Sequence, residues 1–483
     1  MNLRFVTKFI GIVLCAEALC MVPSLLIALY MEDGSAGAFL AAMLAGLLPG
    51  LLLSARPLDG DDRMHLRDGF ATVAGCWLCL SLLCALPYWF SGALPNFFDA
   101  LFESASGLTT TGASVVSEIE GLPKSLLFWR SFTQFLGGMG VLVLMLALLP
   151  RLGAGSSYLM RAESPGPIKS KLVPKIGQSA KILYSIYLIL IGAETVCLRI
   201  AGMDWFDSIC HAMSTISTGG FSTKNTSVAY FDSLAVDWII IVFMLLAGIN
   251  FSLLFLMACR GFGAVRKDEE LRLYLVAIFG ASAAIVLSLV VQGGEAFSVP
   301  LITDAVFQVV TIITSTGYAT ADYMLWPTLA QCVLLALMFM GGCAGSTAGG
   351  VKGVRVLLLH KMLQRAVNKV LHPRQVHVIT LSGKRVDEGT LNAVCVFFYA
   401  YCALLIVGTL VVSLDNMGFA ASFSAALTSL SNIGPGLDAL GPAGNFSPLS
   451  DLSKLTLSLL MLIGRLEILP ILVLLSPSAW RHK

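Results

Sequence analysis

The sequence predicts an all-α polytopic membrane protein with ten transmembrane helices, arranged as four span–loop–span repeats around one pseudo-fourfold axis after two leading helices. Three observations predict this fold class. Of the 483 residues, 57% are hydrophobic and 12% are charged, whereas a soluble domain carries about 25% charged residues. A short motif occurs four times in matched register, and lysine and arginine concentrate in alternate loops.

The elements follow a regular order along the chain. The predicted organisation is two leading helices in 1–69, repeat 1 in 70–150, a basic linker and repeat 2 in 151–260, repeat 3 with a glycine-rich loop in 261–360, and a basic linker and repeat 4 in 361–483. The predicted spans are 9–30 and 37–55, then 70–90 and 122–149, 182–200 and 234–259, 273–291 and 325–360, and 391–414 and 452–475. Polar linkers are expected at 56–69, 151–181, 260–272 and 361–388.

The repeated motif is a short apolar segment that ends in a glycine turn. Its copies lie at 98–114, 206–222, 304–319 and 421–436. A helix of about three turns cannot cross a bilayer, which needs roughly 20 apolar residues. Each copy is therefore predicted to be a re-entrant loop, because irregular backbone at membrane depth survives only inside protein or along a water-filled cavity.

Four such loops around one axis place backbone carbonyls in a ring. A ring of carbonyl oxygens can replace the hydration shell of a small cation. The negative C-terminal end of each short helix would favour a cation at the same place. The pattern therefore predicts a cation pore lined by backbone atoms, although ordinary turns between short helices are the simpler alternative.

The basic residues indicate the orientation. When the loops are assigned alternately to two sides, 25 of the 31 lysines and arginines fall on one side. The positive-inside rule places that side in the cytoplasm. Both termini are then cytoplasmic, and all four re-entrant loops enter from outside.

The four glycine turns read TTTGAS, STGGFS, STGYAT and SNIGPG. Four such turns in span–loop–span units of one orientation resemble the TrkH/KtrB/HKT superfamily of potassium transporters, and the two leading spans resemble its TrkH branch most. The resemblance covers essentially the whole chain. It implies a potassium uptake protein of the cell inner membrane that forms a homodimer in the lipid bilayer. It also implies a TrkA-type cytoplasmic partner built of RCK nucleotide-binding domains.

The residues that would bind K⁺ lie at the four turns, which we call glycine segments 1 to 4. They are Thr110, Thr111 and Gly112; Thr218, Gly219 and Gly220; Ser315, Thr316 and Gly317; and Asn432, Ile433 and Gly434. In the HKT branch a serine in place of the first glycine is associated with sodium permeation. Gly112 stands there in this chain, so the resemblance implies selectivity for potassium.

One polar position recurs inside the short helices. It is occupied by Glu103, His211 and Gln308 in the first three copies and by Ala425 in the fourth. Polar groups in a low-dielectric setting need hydrogen-bond partners. Two interpretations stay open: these side chains brace the loops, or they act directly on the ion field, with Glu103 as the strongest case.

The second span of repeat 3 is too long for a continuous helix. Its 36 residues would extend about 54 Å, while the bilayer core is about 30 Å thick. Five glycines lie within 341–350, which predicts either close helix packing or a flexible loop. The resemblance implies that this loop is the gate, formed by Gly345, Ser346, Thr347, Ala348 and Gly349. Lys352 is expected to extend to the cytoplasmic edge.

Arg465 lies near the middle of the predicted last span, where a charge normally faces a cavity or a partner. One interpretation pairs it with a buried acid such as Glu194 or Glu103. The other places it in the pore as a barrier to cations, where the hydroxyls of Ser346 and Thr347 and the loop carbonyls accept its hydrogen bonds. The resemblance supports the second interpretation and includes Arg465 in the gate.

No catalytic constellation appears in the sequence. The six histidines are scattered, no Walker A or GxGxxG motif occurs, and Cys76 and Cys79 have no second pair, so we expect neither an enzyme nor a cofactor of its own. No nucleic-acid partner is expected. A secondary transporter of another solute and a membrane enzyme are the competing classes. Within the pore interpretation, channel-like flux and proton- or sodium-coupled symport both stay open.

Overall fold

The computed structural model describes residues 3–55, 66–140, 176–261, 263, 265–375 and 377–475. Several predicted segments lie partly outside these residues. The parts outside are 56–65 of the polar linker 56–69, the portion of span 122–149 beyond 140, 151–175 of the basic linker 151–181, and the tail from 476.

Regular structure in the described ranges is almost entirely helical. The helices are α1 (Leu3–Cys20), α2 (Val22–Met31), α3 (Ala36–Ser54), α4 (Leu66–Phe90), α5 (Phe97–Leu108), α6 (Lys124–Gly138), α7 (Ile176–Ile200), α8 (Trp205–Ile216), α9 (Leu234–Gly248), α10 (Phe251–Arg260), α11 (Glu269–Val291), α12 (Val299–Ile313), α13 (Thr328–Met338), α14 (Gly353–Leu371), α15 (Glu388–Val412), α16 (Phe419–Ser431), α17 (Asp451–Arg465) and α18 (Leu469–Leu475). Short 3₁₀ turns span Ser227–Phe231, Tyr323–Leu325, Ser413–Asp415 and Asp438–Leu440. Strands β1 (Thr380–Leu381) and β2 (Lys384–Arg385) form an antiparallel hairpin.

Six helices in the described part of the chain are long and apolar enough to cross a bilayer. They are Leu3–Met31, Ala36–Ser54, Arg67–Phe90, Ala180–Ile200, Glu269–Val291 and Glu388–Asp415. A seventh is obtained when α9 and α10, which meet at a bend of 100°, are taken as one span. The second helices of repeats 1, 3 and 4 begin with α6, α13 and α17, which have 15, 11 and 15 residues. The described residues therefore hold fewer uninterrupted spans than the ten predicted.

Two predicted spans are wrong as continuous helices. The span 234–259 breaks after α9, because the Asn250 side chain accepts a hydrogen bond from the Ser252 N–H and so caps a new helix. The span 452–475 breaks after α17, where Glu467 and Ile468 have φ values of 56° and 68°. A β-branched residue rarely adopts this left-handed conformation. Hydropathy did not predict either break, since each sequence is predominantly apolar on both sides of its break.

Helices also extend beyond the predicted span limits. Helices α4 and α7 include residues 66–69 and 176–181 of the predicted linkers 56–69 and 151–181. Much of the linker predicted at 361–388 is the second half of α14, followed by the β1–β2 hairpin. Charged residues end a hydrophobic span without ending a helix, so the limits of the apolar sequence do not mark the helix ends.

The leading helices pack against the outside of repeat 1. Phe9 and Val13 of α1 share an apolar cluster with Trp77 and Leu80 of α4 and with Ile471 of α18. The chain's last described helix therefore packs on the same side of the fold as α1 and α4.

Candidate functional site

The four repeated motifs form short helices. These helices, α5, α8, α12 and α16, have 12, 12, 15 and 13 residues, or about 18–22 Å. Asn96, Asp204 and Ser298 cap the first three by accepting hydrogen bonds from backbone N–H groups. Each helix ends one or two positions before its glycine segment. At these lengths all four are too short to span a bilayer alone.

The glycine segments share one backbone conformation despite different side chains. Their first residues are left-handed, with φ of 55° at Thr110, 56° at Thr218, 55° at Ser315 and 54° at Asn432. The glycines two positions later also have positive φ: 82° at Gly112, 76° at Gly220, 87° at Gly317 and 100° at Gly434. Left-handed threonine and serine are uncommon. Their occurrence at four matching positions identifies the segments as structural equivalents.

The four segments contact one another in cyclic order. A Cβ on Gly112 would lie 2.2 Å from the Gly219 oxygen, one on Gly220 1.9 Å from Thr316 O, one on Gly317 2.2 Å from Ile433 O, and one on Gly434 2.6 Å from Thr111 O. Only glycine permits this approach. The structure therefore brings all twelve predicted residues into one ring of backbone.

A cavity of about 450 Å³ adjoins the ring. Gly112, Gly220, Gly317 and Pro435 line it, together with residues that follow each glycine segment. The ring therefore forms one wall of a space that all four repeats share.

The recurring polar side chains bind the chain that leaves each glycine segment. Glu103 accepts hydrogen bonds from Ser114 Oγ and Val115 N, His211 Nε2 bonds to Ser222 Oγ, and Gln308 Nε2 donates to Ala321 O. The fourth repeat has Ala425 at this position, and the neighbouring Ser424 Oγ accepts from Leu437 N. These contacts favour the bracing interpretation.

The glycine-rich loop, residues 339–352, contacts the helix ends beside the ring. Gly349 N–H donates to Ser315 Oγ at 2.5 Å, and Thr347 Oγ1 donates to Ile216 O at 3.0 Å. A Cβ on Gly349 would lie 2.4 Å from Ser431 O. The loop therefore touches the ends of the short helices of repeats 2 and 4 and the glycine segment of repeat 3.

Both arms of the loop are attached to one carboxylate. Glu270 Oε1 accepts hydrogen bonds from Ala344 N at 2.7 Å and Val354 N at 2.8 Å. Glu270 lies in the first turn of α11, so the first helix of repeat 3 fixes the base of the loop. Sequence reasoning missed this residue because its partners lie more than 70 positions away.

Arg465 joins the loop to repeat 1. Its Nη1 donates to Thr347 O at 2.8 Å, and its Nη2 donates to Gly137 O at 2.7 Å and to Gly138 O at 2.6 Å. A loop carbonyl is thus an acceptor, as expected. Ser346 Oγ and Thr347 Oγ1, the expected hydroxyl acceptors, donate to backbone carbonyls, and the three acceptors named above for Arg465 are all backbone carbonyls.

Two charged residues follow the glycines of the loop, and the first differs from expectation. Lys352 does not extend to an edge: it is 4% exposed, and its Nζ donates to Ala348 O within the loop. Arg355 of α14 pairs with Glu467 at 2.6 Å and lies over the Phe397 ring. Glu467 is two residues after Arg465, so this pair connects α14 to the break after α17. No local sequence signal indicates it.

Helices of membrane-crossing length enclose four short helices that direct four glycine segments into one ring. This fold and site define a polytopic membrane transport protein. The TrkH family model, described as a cation transport protein, matches residues 37–482. The chain belongs to the TrkH family, as the glycine-turn motifs predicted, and it is a transporter rather than an enzyme.

Individual relatives agree over the whole length. The Trk system potassium uptake protein TrkH of Escherichia coli K12 is 38% identical over 488 residues, which cover 100% of both chains. TrkG of the same organism is 35% identical over 489 residues and 99% of both chains. The crystal structure of the potassium transporter TrkH from Vibrio parahaemolyticus superposes with a TM-score of 0.88 at 36% identity, with full coverage of both chains.

Proposed function

We propose that this protein takes up potassium through a central pore whose selective part is the ring of glycine segments. The observation that carries the proposal is the left-handed backbone repeated at four equivalent positions that contact one another in cyclic order. Strained backbone that recurs in this way is typical of ligand-binding sites. The relatives described above are potassium uptake proteins, which indicates the ion.

The chemistry of the ring suits a dehydrated monovalent cation. Carbonyl oxygens replace water around the ion, and the C-terminal ends of α5, α8, α12 and α16 contribute partial negative charge. Because backbone atoms bind the ion, the segments tolerate threonine, serine and asparagine at the same position. Potassium is the transported ion and not a resident cofactor.

The proposed topology has ten spans and four re-entrant loops, with the domain limits given above and both termini in the cytoplasm of the inner membrane. The broken second helices of repeats 2, 3 and 4 each count as one span in this arrangement. The excess of basic residues on one side supports the orientation.

The gate in this proposal is the glycine-rich loop, residues 345–349 above all, together with Arg465. The loop blocks the path next to the ring, and the guanidinium adds a fixed positive charge. A TrkA-type cytoplasmic subunit opens the gate by moving α14, which connects the loop to the basic hairpin region. The transporter functions as a homodimer.

The test is potassium-dependent growth of a bacterial strain that lacks its own potassium uptake systems, followed by flux in proteoliposomes. Expression of the chain with its cytoplasmic subunit is expected to restore growth at low potassium. Reversal potentials measured against potassium, sodium and pH gradients then separate a channel-like pore from a proton- or sodium-coupled symporter. Absence of potassium-selective flux from folded protein would overturn the proposal.

A further inference from the structure

A buried arginine lies beside the outer ends of glycine segments 1 and 2. Arg130 is the seventh residue of α6, is 1% exposed and borders the cavity next to the ring. Its counterparts at the seventh position of the other second helices are Ile240, Leu334 and Leu457, all fully buried apolar residues. A charge at this position therefore belongs to repeat 1 alone among these four helices.

The guanidinium binds three groups at once. Its Nε donates to Glu103 Oε1 at 2.8 Å, Nη2 donates to Ser114 Oγ at 3.2 Å, and Nη1 donates to Ser222 O at 3.1 Å. Its centre also lies 4.1 Å from the centroid of the Phe221 ring. The planar fork of arginine can satisfy these directions together, which the single ammonium of lysine cannot do.

The bonded positions are equivalent in the two repeats. Ser114 follows Gly112 by two residues, and Ser222 follows Gly220 by two residues. The Glu103 carboxylate, 0% exposed, neutralises the guanidinium and itself accepts from Ser114 Oγ and from the backbone. One ion pair thus holds the outer ends of two neighbouring glycine segments at a fixed separation.

We propose that Arg130 is a positioning residue for ion selectivity, which sets the spacing of glycine segments 1 and 2 through its guanidinium fork. The inference rests on the proposed potassium pore and deepens it. Glu103 keeps the nearby charge balanced, so a cation entering the ring meets a neutral pair rather than a bare positive charge. Repeats 2, 3 and 4 have apolar residues at the matching position, so among the described second helices this guanidinium bridge is particular to glycine segments 1 and 2.

The test is the ratio of potassium to sodium permeability, taken from reversal potentials of purified protein in liposomes. This ratio does not depend on how much protein folds. The Arg130→Lys variant keeps the charge and loses the fork, and we expect its ratio to fall by about tenfold. The Ser114→Ala variant removes one hydroxyl partner without a change of charge, and its ratio is expected to fall in the same direction by less.

Trp129→Phe is the matched control on the same helix. Trp129 is fully buried, and its Nε1 donates to Cys84 O, away from the glycine segments. This variant is expected to lower the melting temperature and to leave the permeability ratio unchanged.

Three outcomes would overturn the inference: a wild-type ratio in Arg130→Lys, a wild-type ratio in Ser114→Ala if the lysine variant does not fold, or an equal loss in the Trp129 control. Absence of potassium preference in the wild-type protein would instead overturn the proposed function itself.

Discussion

Replacement of Arg465 by alanine is expected to raise ion flux in the absence of any partner subunit. The guanidinium donates hydrogen bonds to the carbonyls of Thr347, Gly137 and Gly138 at 2.6–2.8 Å. A charge-assisted hydrogen bond contributes about 1.5–3 kcal/mol. Withdrawal of the loop breaks at least the bond to Thr347. Removal of the guanidinium is therefore expected to favour the open state by about 10–150-fold.

The size of the effect separates two forms of opening. If Arg465 stays on repeat 1 while the loop moves, the closed and open states differ by the bond to Thr347. The increase in flux then stays within about 10–150-fold. If opening instead breaks all three bonds, the alanine variant favours the open state by about 4.5–9 kcal/mol relative to the wild type. Its gate is then almost always open. The Arg465→Lys variant retains the charge without the fork, and we expect an increase smaller than that of alanine.

The assay is potassium flux per folded molecule in proteoliposomes, with melting temperature measured in parallel. Arg199→Ala serves as control, because Arg199 also donates to a backbone carbonyl, that of Met203, in a different part of the fold. Its flux is expected to match that of the wild type. A stable Arg465→Ala protein with wild-type flux would refute the reasoning, and a lower melting temperature without added flux would indicate a purely bracing role.

Three further predictions concern the ring, the ion pair beyond the loop and the basic linkers. Gly112→Ser is expected to lower the potassium-to-sodium permeability ratio, because its Cβ would lie 2.2 Å from a carbonyl oxygen of glycine segment 2. Gly92→Ser is the control, with φ of 74° and nothing within 4 Å, and equal ratios in the two variants would contradict the assignment. Glu467→Gln weakens a largely buried ion pair with α14 and is expected to raise basal flux about tenfold. Glu388→Gln is the control, because it weakens an ion pair whose carboxylate side chain is 69% exposed. This variant should change basal flux little. Adenine nucleotides are expected to alter flux only when a TrkA-type subunit is present, and binding of nucleotide to this chain alone would argue against that.

The positions of the glycine segments could be predicted because the chain carries four internal copies in matched register. Their backbone conformation could not be predicted in the same way. Threonine at 110 and 218 has no intrinsic preference for positive φ, and each left-handed turn is closed by a backbone bond within its own repeat, from Thr111 N to Ser106 O and from Gly219 N to Ser214 O. Repetition thus located the ring, while the close approach at each glycine depends on contacts between repeats.

The interactions around the loop show where local sequence loses its predictive power. The glycine content of 341–350 indicated a break in the helix, and the structure has one there. The partners of the loop were not predictable in the same way. Arg355 and Glu467 are 112 positions apart, and Thr347 and Arg465 are 118 apart. Hydropathy likewise treated Lys352 as a residue at the membrane edge, whereas a loop carbonyl gives it a buried partner.

The contact that closes the ring has a consequence for how the protein is made. Asn432 Nδ2 donates to Thr111 Oγ1 at 3.0 Å, and these residues are 321 positions apart. At a synthesis rate of about 5–20 residues per second, roughly 16–64 s pass between the synthesis of Thr111 and that of Asn432. During that interval the side of glycine segment 1 that contacts Asn432 has no partner. A chain released before residue 432 therefore lacks the contact that closes the ring.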